Sequence, residues 1–129
     1  MATLEDVHRI VAALPGSYAA PLGEPSADFG VLVRDKRKGI AWSWRKRVDP
    51  KKTKVPQLDV LVVRVADEGE KHSLIAAEPD IFFTEPHYDG YAAVLVRIAN
   101  IDVDELTEVV TDSWRLVAPK ALVAEYDAL

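Results

Sequence analysis

Three strand-like segments follow one another between residues 29 and 65, with no helix-like segment between them, and this succession limits the possible folds more than any other feature. The segments are Phe29–Arg34, Gly39–Arg45 and Leu58–Val65. We interpret Asp35–Lys38 as the turn of a first hairpin, with a basic tip. Lys46–Gln57 contains two prolines and several cations, so we expect an exposed, extended loop. Parallel neighbours would need a long crossover connection, so the sheet is predicted to be mainly antiparallel.

Segments with helical periodicity flank these strands. Thr3 can cap a first helix that Pro15-Gly16 ends. The apolar residues of this helix recur every three or four positions and form one face: Leu4, Val7, Val11 and Leu14. A long helix is predicted to begin at Asp102 and to end at Ala118-Pro119, and a short final helix follows through Tyr126.

A short helix and a second hairpin lie between these two regions. Asp67 and Glu70 have the spacing of a capping box at the start of the short helix. Ile81–Thr84 and Tyr91–Ile98 are predicted to be the strands of the hairpin. Asp89-Gly90, just before the second of these strands, is a strong turn signal.

The order of elements is therefore α-β-β-β-α-β-β-α-α. A chain of 129 residues has the length of one domain, and we assign residues 1–129 to it. The predicted class is α+β, with two layers: a mainly antiparallel sheet of about five strands and helices packed on one of its faces. Besides the face of the first helix, the residues expected to be buried are Val60, Val62, Val94, Val96, Leu106 and Val110.

The charge of the chain is strongly polarised. The net charge is −5, yet the segment Arg34–Lys54 holds ten basic and two acidic residues, a net of +8. The rest of the chain holds six basic and nineteen acidic residues, a net of −13. Such a basic block indicates an anionic partner, although a solubilising surface would have the same composition.

Several motifs resemble those of the MmcQ/YjbR family. The most specific is His87-Tyr88-Asp89-Gly90, followed at a similar distance by Val96-Arg97. Other matching motifs are spread over nearly the whole chain: Leu14-Pro15-Gly16, Ala77–Phe83, Trp114-Arg115 and Pro119-Lys120. The resemblance implies an antiparallel sheet with flanking helices, also described as CyaY-like. It further implies DNA binding through a double-wing arrangement of hairpins, and it brings no catalytic residues.

The His87 motif also invites a catalytic interpretation, because a histidine beside an aspartate can do acid–base work. Neighbouring residues on a turn point in different directions, and the sequence has no serine or cysteine nearby to be activated. We therefore favour a tight turn in which Asp89 bonds backbone amides and Gly90 has a positive φ. Arg97 is expected to pair with an acid such as Glu105 or Asp112, or to anchor a phosphate.

The tryptophans of the second strand allow two interpretations. Ile40, Trp42 and Trp44 alternate, so they are predicted to share one face. Burial against the helices is the expectation for Trp42, and stacking on nucleobases is the alternative.

The composition also bears on cofactors and location. The chain has no cysteine, so thiolate nucleophiles and Cys-ligated metals are excluded. The three histidines lack metal-binding spacing, and no phosphate-binding or nucleophile motif is present. We expect no metal and no cofactor. No leader or membrane-spanning segment is recognisable, so a cytoplasmic location without membrane contact is expected.

The leading hypothesis is a non-enzymatic protein that binds double-stranded DNA weakly and with little sequence preference. We expect a monomer, although the sequence carries no signal for the oligomeric state. One alternative is a module that binds an acidic protein or a small anionic ligand through the same surface, and another is an enzyme centred on His87 and Tyr88. The candidate DNA-binding residues are Arg34, Lys36, Arg37, Lys38, Arg45, Lys46, Arg47, Lys51, Lys52 and Lys54.

Overall fold

The computed structural model describes residues 1–19, 28–46 and 55–129. The described helices are α1 (Leu4–Ala12), α2 (Glu68–Ala77), α3 (Val103–Val117) and α4 (Lys120–Asp127). The described strands are β1 (Ser17–Ala19), β2 (Asp28–Val33), β3 (Lys36–Lys46), β4 (Val55–Arg64), β5 (Phe82–Phe83) and β6 (Ala93–Arg97). Short 3₁₀ turns cover Pro86–Tyr88 and Ile98–Asn100.

The predicted fold class is confirmed. The strands form one antiparallel sheet in the order β1-β2-β3-β4-β6-β5, and α1 and α3 pack on one face of it. The sheet has six strands because Ser17–Ala19, for which the sequence predicts no strand, form β1, which pairs Ser17 with Val31. Strand pairing across the sheet, rather than local propensity, makes so short a segment extended.

Side-chain caps place the helix starts where the sequence predicts them. The Thr3 hydroxyl accepts a hydrogen bond from the backbone N–H of Asp6, whose carboxylate accepts one from the N–H of Thr3. Asp67 and Asp102 cap α2 and α3 in the same way, each accepting from a backbone N–H three residues later at 2.8 Å. Each cap satisfies a donor that the first turn of a helix leaves unpaired.

The main core lies between the sheet and the helices. The residues predicted to be buried in the two long helices and in β4 and β6 are all buried except Leu4, which is only half-buried at the edge of the core. Trp114 is fully buried in α3, and its Nε1 donates to the carbonyl of Pro15 at 3.0 Å. This bond joins α3 to the end of the first helical segment.

A β-bulge in β3 corrects one prediction. Phe29 pairs with Ala41 while Gly30 pairs with Gly39, so Ile40 is an extra residue. Because of this extra residue, Ile40 packs in the main core while Trp42 and Trp44 pack on the opposite face of the sheet. The prediction that these three residues share one face is therefore wrong, since it assumed an unbroken alternation. The expected burial of Trp42 against the helices is wrong for the same reason, because Trp42 is half-buried on the other face.

Polar side chains satisfy the backbone carbonyls of this bulge. Arg64 donates from Nε to the carbonyl of Gly39 at 2.9 Å. Ser113 of α3 donates from its hydroxyl to the carbonyl of Ile40 at 3.0 Å and is 1% exposed. Because buried carbonyls need partners, these two bonds allow the bulge to lie inside the protein.

The connections around β3 also differ from the prediction. The turn between β2 and β3 is Arg34-Asp35, with φ angles of +51° and +67°, so Lys36–Lys38 belong to β3. Such two-residue turns match the twist of a hairpin but require left-handed backbone. At the other end of β3, Lys46 pairs with Val55, so part of the predicted loop is strand. Residues 47–54 lie outside the described residues.

We expect Ser113→Ala to lower the free energy of unfolding by about 1–3 kcal/mol relative to Ser73→Ala, because the buried Ile40 carbonyl loses its donor. Ser73 is exposed in α2, so its replacement corrects for the gain in helix propensity. Urea denaturation of both variants measures the difference. Equal stabilities would contradict the role assigned to the Ser113 hydroxyl.

Candidate functional site

The β2–β3 hairpin extends beyond its neighbours in the sheet. Strand β1 reaches only Val31 of β2, and β4 begins to pair with β3 at Ala41. Residues 32–38 therefore form a two-stranded ribbon without a flanking strand, which we call the basic hairpin.

Four cations lie on this ribbon, and all four are exposed: Arg34, Lys36, Arg37 and Lys38. Among the residues that the structure describes, no acidic side chain forms an ion pair with any of them. Exposed cations without acidic partners keep their charge available to an anionic ligand.

Strand alternation divides these cations between two faces. Lys36 and Lys38 pair with Val33 and Val31, so they lie on the helix side of the sheet. Arg37 pairs with Leu32 and lies on the other face, where its guanidinium is 5.0 Å from the centroid of the Tyr18 ring.

A cleft of about 570 Å³ opens on the helix side of the ribbon. Its apolar lining comes from β2, the end of α3 and the α3–α4 junction, and its polar lining comes from three of the four cations. The lining residues are Val33, Arg34, Lys36, Lys38, Val117 and Pro119.

The structure separates the remaining basic residues from this hairpin. Arg45 and Lys46 lie at the opposite end of β3, and Lys46 is ten residues from Lys36. At roughly 3.3 Å per residue, their backbones are about 30 Å from the hairpin turn. Arg47, Lys51, Lys52 and Lys54 lie outside the described residues. The described part of the basic segment is thus two groups and not one patch.

A second, smaller cluster covers the sheet face opposite the helices. Four buried residues of β4 and β6 form its base: Val60, Val62, Ala93 and Leu95. Half-buried aromatic rings pack over them: Trp42, Trp44, Phe83 and Tyr88. Trp42 donates from Nε1 to the hydroxyl of Tyr88 at 3.0 Å. Arg97 places its guanidinium 4.0 Å from the centroid of the Phe83 ring.

A buried lysine holds the turn that contains His87. Lys71 of α2 is 1% exposed, and its Nζ donates to the carbonyls of Tyr88 at 2.7 Å and Tyr91 at 3.3 Å. The φ angle of Gly90 is +81°, as predicted. The expected bonds from backbone amides to the Asp89 carboxylate are absent among the described residues, and the backbone N–H of Asp89 donates to the carbonyl of Pro86 at 3.1 Å. His87 is exposed beside the ring of Tyr88. These contacts give the turn a structural role.

Sequence analysis missed Lys71 because a lysine on a helix usually faces solvent. A signal was present, since Lys71 precedes Leu74 by three positions and Ile75 by four and so shares their apolar side. The predicted pairing of Arg97 with an acid was wrong as well. Its Nη1 donates to the carbonyl of Pro79 at 3.3 Å.

Two carboxyl groups meet where α2 ends and α3 begins. The protonated carboxyl of Glu105 donates a hydrogen bond to the side chain of Glu78. This bond, followed by burial and by the charges of Glu78, Asp102 and Glu108, raises the pKa of Glu105 to about 7. Glu105 also lines a cavity of about 400 Å³ between α2 and α3. The pair therefore holds a proton near neutral pH.

Two further features are absent from residues 1–19, 28–46 and 55–129: a metal-binding cluster and a membrane-spanning helix. There, no three His, Asp or Glu side chains are arranged to hold a metal ion. No helix in these ranges combines the length and the hydropathy that crossing a membrane requires.

Comparisons with known proteins cover nearly the whole chain. The model of the YjbR family matches residues 12–116. Uncharacterised proteins of Mycobacterium bovis (Mb2600) and Mycobacterium tuberculosis (Rv2570) are each 43% identical over 132 residues, covering 98% of this chain and 96% of theirs. The crystal structure of Deinococcus radiodurans protein DR2400, with a DUF419 domain, superposes with a TM-score of 0.66. At 21% identity, over 94% of this chain and 82% of that one, it shares the fold.

We expect stability to fall as the pH rises from 4.5 to about 7, and Glu105→Gln to weaken this dependence. The ordinary pKa of Glu105 is 4.5 and the folded value is about 7, so the folded state retains a proton that the unfolded chain releases. The stabilisation is therefore complete below pH 4.5 and lost as the pH passes 7. Because Gln cannot ionise, the variant should be more stable than the unaltered protein above pH 7.

Urea denaturation between pH 4.5 and 8.5 tests this pH dependence. The control is Glu125→Gln, at an exposed position of α4. The same pH dependence in the unaltered protein and in Glu105→Gln would contradict the carboxyl pair.

Proposed function

This chain belongs to the YjbR family, and we propose that it is a non-enzymatic protein that binds double-stranded DNA weakly through the basic hairpin. The observation that carries the proposal is the placement of four exposed cations on both faces of a ribbon without a flanking strand. None of the four has an acidic partner among the described residues.

A two-stranded ribbon has dimensions that the major groove of B-DNA admits, and phosphates line both sides of that groove. Cations on both faces of the ribbon can therefore reach the two backbones together. Lys36 and Lys38 would approach one backbone, and Arg37 would approach the other. Phosphate contacts of this kind position a protein without reading sequence.

Charge also favours weak and oriented binding. If three to five phosphates are engaged, the logarithm of the association constant should fall with the logarithm of salt concentration with a slope of roughly −3 to −4.5. The dissociation constant at physiological salt should lie at about 10⁻⁴ to 10⁻⁶ M, the non-specific range. The −13 charge outside Arg34–Lys54 would repel DNA and restrict the docking orientation.

A second candidate function is recognition of an acidic protein by the same hairpin. Leu32 is 46% exposed beside Arg37, and an apolar side chain there adds contact area that a phosphate backbone does not use. A partner protein would bury Leu32, whereas DNA bound through phosphates would leave it exposed.

Fluorescence anisotropy with a labelled duplex over a salt series tests the DNA proposal. We expect Lys36→Glu to lower affinity about tenfold or more and to make the salt slope shallower by about one or more, because a phosphate contact is replaced by repulsion. Arg9→Glu changes the net charge equally at an exposed position of α1 and should leave affinity within about twofold.

Equal losses in the two variants, or no binding by the unaltered protein at low salt, would overturn the proposal. A triple change of Lys51, Lys52 and Lys54 to Glu measures separately the part of the basic segment that lies outside the described residues. A loss of affinity from Leu32→Ser toward a captured protein, but not toward DNA, would favour the second candidate.

A further inference from the structure

The cleft beside the basic hairpin exists because the ribbon continues past the end of α3. Val31 is fully buried in the main core, but Val33, two residues further along β2, is only half-buried. Helix α3 stops at Val117, and Pro119 directs the chain into α4. Apolar surface of Val33, Val117 and Pro119 therefore remains accessible between the ribbon and the α3–α4 junction.

The volume of this open cleft and the mixture of groups that line it are compatible with a small ligand. Its volume of about 570 Å³ lies inside the range of roughly 300–1,000 Å³ that ligand pockets occupy. Val33, Val117 and Pro119 provide apolar surface, and the cations provide a few polar groups at its rim. Pockets that combine apolar walls with a few placed charges select ligands that have both kinds of surface.

The charge of the rim defines the polar part of such a ligand. Arg34, Lys36 and Lys38 bring three positive charges to one opening, and none of their side chains forms an ion pair or hydrogen bond with a described residue. The C-terminus of α3 carries a partial negative charge of about half a unit, which favours cations nearby. That effect is small beside three full charges, so the opening remains positive.

We infer that this cleft binds a small amphipathic anion, in which a carboxylate or phosphate head meets the three cations and an aliphatic body covers Val33, Val117 and Pro119. The head gains charge-assisted hydrogen bonds, and the body removes apolar surface of both partners from water. Neither part alone matches the lining, since a bare anion leaves the apolar floor wet and a neutral chain leaves the cations unpaired.

This site does not depend on the proposed DNA binding, although the two share Lys36 and Lys38. Arg37 separates them, because it lies on the opposite face of the ribbon, stacked on Tyr18, and does not line the cleft. Loss of Arg37 should weaken contact with DNA and leave the ligand in place.

The test is a titration of the ¹⁵N-labelled protein with octyl phosphate below its micelle concentration, followed by two-dimensional NMR. We expect saturable shifts centred on Val33 and Val117. Octanol and inorganic phosphate, which each supply half of the ligand, should bind at least about tenfold more weakly. Octanoate should bind at the same place if the site accepts either head.

Two variants at exposed positions of the ribbon make the test specific. The double change Lys36→Gln and Lys38→Gln should weaken octyl phosphate binding at least about tenfold, because each removes a charged donor. Arg37→Gln, which removes one charge from the opposite face of the ribbon, is the control. It should bind octyl phosphate within about twofold of the unaltered protein. The same spectra report that both variants remain folded.

Three results would overturn the inference. Equal affinity for inorganic phosphate and octyl phosphate would show that the apolar floor plays no part. Shifts spread over the protein, or equal effects of the two variants, would place binding elsewhere. Co-sedimentation with phosphatidylglycerol vesicles without binding of free octyl phosphate would assign the surface to a membrane instead of a soluble ligand.

Discussion

The bulge at Ile40 is the constraint on which the two faces of this sheet depend. With one residue more on β3 than on β2, Ile40 and Ala41 both pack in the main core. Trp42 then lies on the opposite face, over β4 and β6. The hydroxyl of Ser113 and the guanidinium of Arg64 satisfy the carbonyls beside the extra residue. The bulge thus joins α3 and β4 to the base of the basic hairpin, whose side-chain orientation follows from the register there.

A chain of polar contacts fixes the second face in a similar way. Lys71 reaches from α2 to the carbonyl of Tyr88, and the hydroxyl of Tyr88 accepts from Trp42. A buried cation is costly unless its donors are satisfied, so the carbonyls of Tyr88 and Tyr91 both stabilise it and fix the turn. The His87 motif, which resembles an acid–base pair in sequence, is in this way an anchor between a helix and an aromatic cluster.

The parts of the fold that were predictable are those whose signals are local. The side chains of Thr3, Asp67 and Asp102 cap their helices by accepting from backbone N–H groups only three residues later. The sequence alone therefore locates these caps. Strand β1 and the bulge depend on partners distant in sequence, and no local pattern specifies them. The sequence predicts the hairpin turn at Asp35–Lys38, one residue after its true start at Arg34. Two left-handed residues without glycine are unusual, and a run of cations resembles a longer loop.

The candidate site shows the same division. Sequence composition identified the cations, but the net charge of +8 for Arg34–Lys54 treats the whole segment as one surface. Since Lys36–Lys38 are strand residues, alternation sends Arg37 to one face and both lysines to the other. Since β3 is eleven residues long, Arg45 and Lys46 lie at its far end. A charge count cannot distinguish a patch from a ribbon with two chemically different faces, one flanked by Tyr18 and Leu32 and the other by an apolar cleft. The two faces therefore correspond to two separate hypotheses, DNA binding by the hairpin and anion binding in the cleft. Arg37 distinguishes them because it does not line the cleft.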